Sequence, residues 1–239
     1  MTIQKNTFQN ELLKALSDED LSLLLPHLEK IRLDVPTQLE KPNGTIEDVY
    51  FLESGLASIV AQLPGGRDIE VGIVGRDGMT GAAVILGDKQ STNTTFMQVS
   101  GHGFKLPSSV LRSAMEQSAA LHSLVLCYIQ SLLIQTASTA LANGHAKLEE
   151  RLARWLLMVH DRMDGLIVPL THEFLAVMLG VRRPGVTVAL HILEGKGLIR
   201  TVRGQVTILS RKGLIQQSRG SYGVAEAEYL RLFGTPLSR

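Results

Sequence analysis

The chain has 239 residues, of which 44% are hydrophobic and 20% charged, and its formal net charge is +1. This length suits one large or two small domains, and the apolar share excludes a mostly disordered chain. The single cysteine, Cys127, excludes an intramolecular disulfide framework, a multi-cysteine zinc site and an iron–sulfur cluster held by the chain's own thiolates. The first residues lack the basic segment and apolar run of a secretory signal, so we expect a cytoplasmic protein.

The near-neutral net charge conceals two regions of opposite sign. Residues 1–144 carry 10 Lys and Arg against 15 Asp and Glu, a net charge of −5. Residues 145–239 carry 14 against 8, a net charge of +6. This asymmetry predicts an acidic module joined to a basic one, and a basic module is suited to contact with phosphate groups.

The acidic half predicts two short helices followed by antiparallel strands. Ser17 with Asp20 three residues later resembles a helix N-cap with an acidic first turn, between two leucine-rich segments. Eleven of the 22 glycines then fall between Gly44 and Gly103. Runs of β-branched residues alternate with glycine-containing turns and predict strands at residues 49–52, 58–61, 69–74 and 94–99. Short strands at this spacing indicate an antiparallel sandwich or barrel.

A long uncharged segment follows, because residues 117–146 contain no Asp, Glu, Lys or Arg. Polar residues interrupt its apolar runs too often for membrane insertion, so we expect no membrane association. Apolar residues recur every three or four positions, which predicts a helix. A helix without charge has no obvious solvent face, so we expect it to pack on its own domain and on a second subunit. The predicted dimerisation residues are Leu121, Leu124, Val125, Tyr128 and Leu132.

The basic half predicts a winged helix-turn-helix. Residues 148–163 and a short strand at 166–170 precede Thr171, which is placed to cap a helix containing Phe174, Leu175 and Met178. Residues 179–181, Leu-Gly-Val, predict a tight turn, and Val186, Leu190 and Leu193 give the next helix an inward face. Two short strands around residues 203–204 would then form the wing. This order is typical of a DNA-binding domain whose second helix enters the major groove.

The sequence resembles the Crp/Fnr family of bacterial transcription factors, to which the cyclic-AMP receptor protein belongs. The resemblance covers the glycine-rich segment, the long helix, residues 151–157 and residues 179–199. It implies an α+β fold: an antiparallel β-roll like a cyclic-nucleotide-binding domain, a long dimerisation helix and a C-terminal winged helix-turn-helix. The corresponding domains are residues 1–117, 118–144 and 145–220, with a short helix in the tail at 221–239. The resemblance also implies a homodimer that binds near-palindromic operators and works with RNA polymerase.

The recognition helix departs from the family pattern, which commonly opens with Ser-Arg-Glu-Thr. Here the matching positions are Arg182, Arg183, Pro184 and Gly185, so Arg183 matches the family arginine and proline replaces the glutamate that commonly reads a base. Both arginines would lie at the helix N-terminus, where a guanidinium reaches guanine or phosphate. We also expect base or phosphate contacts from the polar and basic residues Thr187, His191, His172, Lys196, Arg200 and Arg203.

The sensor positions also depart from the family. Cyclic-nucleotide binders of this family carry a Gly-Glu pair for the ribose and, further on, an arginine for the cyclic phosphate. The resemblance places Gly81 and Ala82 at the first position and Thr92 and Asn93 at the second. Alanine cannot accept a hydrogen bond from the ribose hydroxyl, and neither Thr92 nor Asn93 carries positive charge. We therefore expect no cyclic AMP binding of the usual kind, an unknown or absent effector, and no cofactor or metal.

A second hypothesis is an enzyme or small-molecule-binding module built on the β-roll, with a partner-binding C-terminal domain. No Ser/His/Asp set, paired carboxylates, phosphate-binding glycine loop or metal cluster is evident in the sequence to support it. The winged helix and the charge asymmetry favour the DNA-binding regulator.

Overall fold

The computed structural model describes residues 7–63, 65 and 68–237. The ends of the predicted first domain and of the predicted tail, residues 1–6 and 238–239, lie outside this part. The N-terminal elements are α1 (Glu11–Ala15), α2 (Asp18–Leu24), a 3-10 turn (Leu25–His27), β1 (Glu29–Leu33), β2 (Gln38–Glu40), β3 (Asp48–Leu52), β4 (Leu56–Ala61), β5 (Ile69–Val74), α3 (Ala82–Ile85), β6 (Thr94–Val99) and β7 (Gly101–Pro107).

The C-terminal elements are mainly helical. They are α4 (Ser108–Gln117), α5 (Ala119–His145), α6 (Leu148–Arg162), β8 (Ile167–Pro169), α7 (His172–Met178), α8 (Arg183–Gly195), β9 (Ile199–Val202), β10 (Gln205–Ile208), α9 (Arg211–Gln217) and α10 (Val224–Phe233). The antiparallel strands, the long helix and the winged helix-turn-helix confirm the predicted fold class.

Two sheets form the β-roll. One has the strand order β1-β7-β3 and the other β2-β6-β4-β5. The pairs β1–β7, β3–β7, β2–β6 and β4–β6 are antiparallel. Strands from both sheets contribute to one buried apolar cluster, made of Leu33, Leu52, Ala57, Val74 and Met97. The four predicted strands correspond to β3, β4, β5 and β6, whereas β1, β2 and β7 were not predicted.

Local capping places the first helices as the sequence indicates. The Ser17 hydroxyl accepts a hydrogen bond from the Asp20 backbone N–H at 3.0 Å, which satisfies one of the free donors at the start of α2. Asn10 caps α1 in the same way and donates its side-chain amide to the Leu52 and Gly78 carbonyls. The N-terminal helices are thereby fixed to the roll.

By internal contacts the chain divides into two units. The roll unit contains the residues up to Val60 and Ile73–Leu132, and the C-terminal unit contains Ala61–Gly72 and the chain from Leu133 onward. The division falls within α5, and it assigns the tip of the β4–β5 hairpin to the C-terminal unit. It therefore differs from the predicted boundaries at residues 117 and 144.

Among the residues described, α5 is long and apolar enough by composition to cross a membrane, with a mean hydropathy of 1.5, and α7 with α8 would pass the same test if their 99° bend is ignored. The apolar residues of α5 divide between a buried face and an exposed one. Leu121, Val125 and Tyr128 lie on the buried face, and Leu126 and Leu133 lie on the exposed one.

Candidate DNA interface

Two helices joined by a glycine turn form the centre of the candidate interface. α7 begins after Thr171, whose hydroxyl accepts a hydrogen bond from the Phe174 backbone N–H at 3.2 Å. Gly180 takes a left-handed conformation (φ +60°) in the turn, and α7 and α8 meet at 99°. This angle lies within the range of about 90–120° for helix-turn-helix motifs. The predicted motif is therefore present.

One side of α8 is buried and the opposite side is exposed. Val186, Ala189, Leu190 and Leu193 are buried, at the helical spacing of three or four residues. On a helix with 3.6 residues per turn, the line opposite to them contains Pro184, Val188, His191 and Gly195, and all four are exposed. We call this line the outer line of α8. His191 belongs to the predicted interface, whereas Val188 was not predicted.

The two predicted arginines lie on either side of the outer line. Arg182 is the exposed N-cap residue of α8, beside Val177 and Gly180 of the α7 side of the motif. Arg183 pairs with Glu173 of α7, with 3.5 Å between the guanidinium and the carboxylate, and both side chains are largely exposed. A surface ion pair of this kind contributes about 0–1 kcal/mol, so phosphate or guanine can replace the carboxylate at little cost.

Thr187 and His172 are already in contact with each other. The Thr187 hydroxyl lies 3.2 Å from Nδ1 of His172 and donates to the Arg183 carbonyl at 3.3 Å. His172 borders the groove between α7, α8 and the wing, and Thr187 is half-buried. Their contact joins the first turn of α7 to the first turns of α8, so Thr187 lies beside the outer line and not on it.

The wing is a three-stranded antiparallel sheet with the order β8-β10-β9. Val202 and Gln205 pair across a turn that presents Arg203 to solvent. A groove of about 620 Å³ lies between α7, α8 and the wing, and its lining includes His172, Glu173, Arg183, Thr201, Arg203 and Gln205. Three of the predicted contact residues thus border one groove.

Glu194 fixes the wing to the recognition helix. Its carboxylate accepts hydrogen bonds from the Thr201 backbone N–H at 2.7 Å and from the Thr201 hydroxyl at 2.9 Å. These bonds lower the pKa of Glu194, because they favour the ionised carboxylate. Glu194 was not predicted as part of the interface, since its partner lies on another element seven residues away.

The remaining predicted phosphate contacts lie at the far end of α8. Lys196 is the C-cap residue of the helix, and its ammonium donates to the Gln217 side chain of α9 at 2.6 Å. Arg200 is exposed on β9. These two residues are separated from Arg182 and Arg183 by the length of the recognition helix.

Some of the basic residues among residues 145–239 are used in contacts within the protein and do not add positive charge to its surface. Arg154 is buried and donates to the Ser221 and Gln135 carbonyls, and its burial lowers its pKa. Arg162 is also buried and donates to the Met158 carbonyl. Arg151 donates to the Leu179 carbonyl at the end of α7. The net charge of the half therefore overstates the charge that it presents to a partner.

The residues predicted at the ribose position lie beside a buried carboxylate. The Gly81 backbone N–H, at the start of the four-residue helix α3, donates to Glu40 of β2 at 2.7 Å. Glu40 is 8% exposed. Burial raises its pKa, and the bond from Gly81 and the hydroxyls of Thr95 and Ser91 partly oppose this rise. Ala82 follows Gly81 in α3, while Thr92 is exposed and Asn93 is half-buried in the loop before β6.

The predicted dimerisation residues need correction. Leu121, Val125 and Tyr128 are buried within their own chain, and Tyr128 donates its hydroxyl to the Met79 carbonyl at 2.7 Å. A side chain packed in this way is not available to a second subunit. Leu124 and Leu132 are half-buried. The exposed face of α5 carries other residues, at alternating steps of four and three: Ala119, Ser123, Leu126, Gln130, Leu133, Ala137, Ala140 and Gly144.

Comparison with known proteins gives a family match for the C-terminal part of the chain. Residues 150–217 match the model of the Crp-like helix-turn-helix domain. A search of curated proteins gives no match.

Solved structures match nearly the whole chain. A protein of Eubacterium rectale described as a transcriptional regulator of the Crp/Fnr family is 21% identical, with 87% of this chain and 98% of that one covered and a TM-score of 0.68. A Crp-family transcriptional regulator of Thermus thermophilus is 20% identical, with 80% and 97% covered and a TM-score of 0.66. The c-di-GMP-responsive global regulator of Xanthomonas campestris is 16% identical, with 81% and 100% covered and a TM-score of 0.64.

The family match and the structural matches together define a protein with a Crp-like helix-turn-helix domain on the fold of solved Crp/Fnr-type transcriptional regulators. The chain carries a Crp-like helix-turn-helix domain on a Crp/Fnr-type fold, which confirms the resemblance seen in the sequence.

Proposed function

We propose that this chain is a sequence-specific transcription regulator that binds near-palindromic operators as a homodimer, in the cytoplasm, with RNA polymerase as its second macromolecular partner. The observation that carries the proposal is the recognition helix α8. Its outer line is exposed, and Arg182 and Arg183 lie beside it with at most a weak surface pair. A helix presented in this way fits the major groove.

The wing and the ends of the motif supply phosphate contacts in this proposal. Arg203 at the wing tip, Arg200 on β9 and Lys196 at the end of α8 are exposed, and His172 borders the groove. Contacts to phosphate position a protein on the duplex without reading its sequence. Arg182 and Arg183, and with them Thr187 and His191, are proposed to contact the bases or the adjoining backbone.

The second subunit is proposed to cover the exposed face of α5. The eight exposed positions follow the alternating steps of a coiled-coil seam, with Leu126 and Leu133 seven residues apart and small residues towards the end. Leu133 is 57% exposed and Leu126 is 41% exposed. Because residues 117–146 carry no charge, a second copy can pack along this face without burying an ion.

The sensor is proposed not to bind cyclic AMP in the family's usual way. At the position matched to the ribose, Glu40 already accepts the Gly81 N–H, and neither Thr92 nor Asn93, at the position matched to the cyclic phosphate, carries positive charge. A thermal-shift screen tests this point, since a ligand at 100 times its Kd stabilises a protein by about 2.7 kcal/mol. We expect no shift with cyclic AMP, and a saturable shift would contradict this part of the proposal.

A mobility-shift assay with promoter fragments tests DNA binding. We expect specific complexes whose affinity falls by about 10³–10⁵ between about 50 and 200 mM salt, as for a dimer with roughly 6–10 phosphate contacts. Arg183→Ala is compared with Arg32→Ala, which removes an exposed arginine of the roll that is also paired with a surface carboxylate, Asp34. Loss of specific binding in Arg183→Ala but not in Arg32→Ala supports the role assigned to Arg183. Equal affinity and specificity in wild type and Arg183→Ala would refute it.

A further inference from the structure

The outer line of α8 is apolar where a recognition helix would touch the floor of the major groove. Pro184 and Val188 are four residues apart on this line, and His191 follows. Val188 is 59% exposed in the middle of the helix. No Lys, Arg, Asp or Glu lies on the line, because the neighbouring charged residues, Arg182 and Arg183, lie on its two sides.

The fold does not account for an exposed valine at this position. The core contacts of α8 come from the opposite side, through Val186, Ala189, Leu190 and Leu193. A β-branched residue is also a weaker helix former than alanine. Val188 therefore neither packs in the interior nor favours the helix, and its apolar surface is free to contact a ligand of the helix.

The chemistry of base edges narrows what this surface can recognise. In the major groove the edges of the base pairs are hydrogen-bond donors and acceptors, with one apolar group, the C5 methyl of thymine. 5-Methylcytosine carries a methyl at the same ring position. Valine offers no hydrogen bond, and Pro184 has no backbone N–H. His191 is the one side chain of the line that can donate or accept a hydrogen bond.

We propose that Val188, supported by Pro184, reads a pyrimidine C5 methyl group in each half-site of the operator. This inference rests on the proposed DNA binding and adds a specific element to it. Arg182 and Arg183 then engage phosphate or guanine on either side, and His191 meets the edge of an adjoining base pair. Thymine is the source of the methyl in unmodified DNA.

The probe is a duplex selected from a random pool by the full-length wild-type chain at fixed salt. Each thymine of the selected half-site is replaced by deoxyuridine, which removes only the methyl group. At one position per half-site we expect the affinity to fall by about fourfold, because one buried methyl or methylene group contributes about a factor of four. When the methyl is removed from both half-sites, the affinity should fall by about 15-fold.

Variants of the protein assign the effect to its side chain. Val188→Ala should reduce the ratio of thymine to deoxyuridine affinity at that position to about one, and alanine preserves the helix. Val224→Ala removes a valine that is 64% exposed on α10 and should keep the wild-type ratio. A cytosine and a 5-methylcytosine at the same position, each paired with guanine, show whether the methylated cytosine is also read.

The outcomes separate this inference from the proposal on which it rests. If no duplex is enriched in the selection, the proposed DNA binding itself fails. If duplexes are enriched but no thymine is sensitive to loss of its methyl, or if Val188→Ala retains the full sensitivity, the reading of a methyl group is overturned while DNA binding stands.

Discussion

The outer line of α8 and the Gly81 region of the roll are the two places where a regulator of this fold would meet a ligand, and they differ in accessibility. Along α8, Val188 and His191 are exposed, and Arg183 is held only by a surface pair with Glu173. At Gly81 the backbone donor is already used by Glu40, a buried carboxylate of the same chain. The groups on α8 are exposed, whereas the Gly81 donor is paired within the chain.

The two regions therefore differ in the groups that they present to solvent. In the roll, the Gly81 N–H at the start of α3 is paired with Glu40 of the same chain. On the recognition helix the functional groups are exposed, but their type differs from the family pattern, since Pro184 replaces the common glutamate. Function is therefore argued from the groups at each site and not from the fold alone.

The largest expected effect comes from the exposed face of α5, where the second subunit is proposed to pack. Leu133→Asp would place a charge at the centre of the proposed subunit interface, and an uncompensated buried charge costs about 3–5 kcal/mol. We expect a monomer by light scattering and an affinity for the selected operator at least about 100-fold lower.

The matched control is Leu86→Asp, which changes a similarly exposed leucine in the roll unit. This variant should keep the mass and the affinity of the wild type. A Leu133→Asp chain that remains dimeric and binds the operator normally would show that the subunits meet elsewhere.

The next largest effect tests the recognition helix α8. Arg183→Ala should weaken binding to the selected operator by about 1–3 kcal/mol and relax the preference at one base position per half-site, if the guanidinium contacts guanine. Fluorescence anisotropy with single-base variants of the operator measures both quantities. Uniform weakening on every sequence would indicate a phosphate contact instead.

A smaller effect tests the contact between Glu40 and Gly81 in the roll. Burial raises the pKa of Glu40, so the folded state favours the protonated carboxyl, and this contribution to stability is present at low pH and lost as pH rises through the raised pKa. Glu40→Gln keeps an oxygen that accepts the Gly81 N–H and removes the charge. We expect it to unfold at a higher temperature than the wild type at neutral pH.

Melting curves between about pH 5 and 8 check this prediction, because the wild type should lose stability with rising pH more steeply than Glu40→Gln. Glu47→Gln, a change at an exposed glutamate of the roll unit, should leave the wild-type slope intact. If Glu40→Gln is less stable than the wild type at neutral pH, the charged carboxylate is a net stabilising group and the account of this site is wrong.

The smallest effect concerns the wing. Arg203→Ala should lower the affinity for selected and unrelated duplexes by a similar factor, and it should reduce the salt slope by about one for each protomer that loses a phosphate contact. Titrations at several salt concentrations give the slope. A loss confined to the selected operator would place Arg203 on a base edge.

The sequence predicts the positions of the helices and strands better than it predicts which residues they contact. β-Branched runs and glycine turns are enough to locate β3 to β6, and the Thr171 cap and the Gly180 turn are enough to locate α7 and α8. β1 was missed because its sequence, Glu-Lys-Ile-Arg-Leu, is mostly polar and exposed. In α5, a helix without charge, the pattern does not indicate which apolar face packs internally, so Tyr128 was placed on the wrong side.

Contacts between residues that are far apart in the sequence also limit how well the candidate sites can be predicted. Glu40 lies 41 residues from Gly81, and nothing in either segment indicates that they meet. Val188 was within reach of the sequence, because it lies four residues after Pro184 on the face opposite to the buried positions. It was not predicted, because contacts to base edges were expected from polar side chains.

The measurement that tests the central claim most directly is genome-wide mapping of the DNA bound by the full chain, with footprints at the enriched sites. We predict an inverted repeat near promoters, with half-site centres about 10–10.5 base pairs apart or a multiple of that spacing, as two recognition helices of a dimer require. Enrichment of no sequence, or of a single unrepeated site, would contradict a dimer that reads DNA through α8.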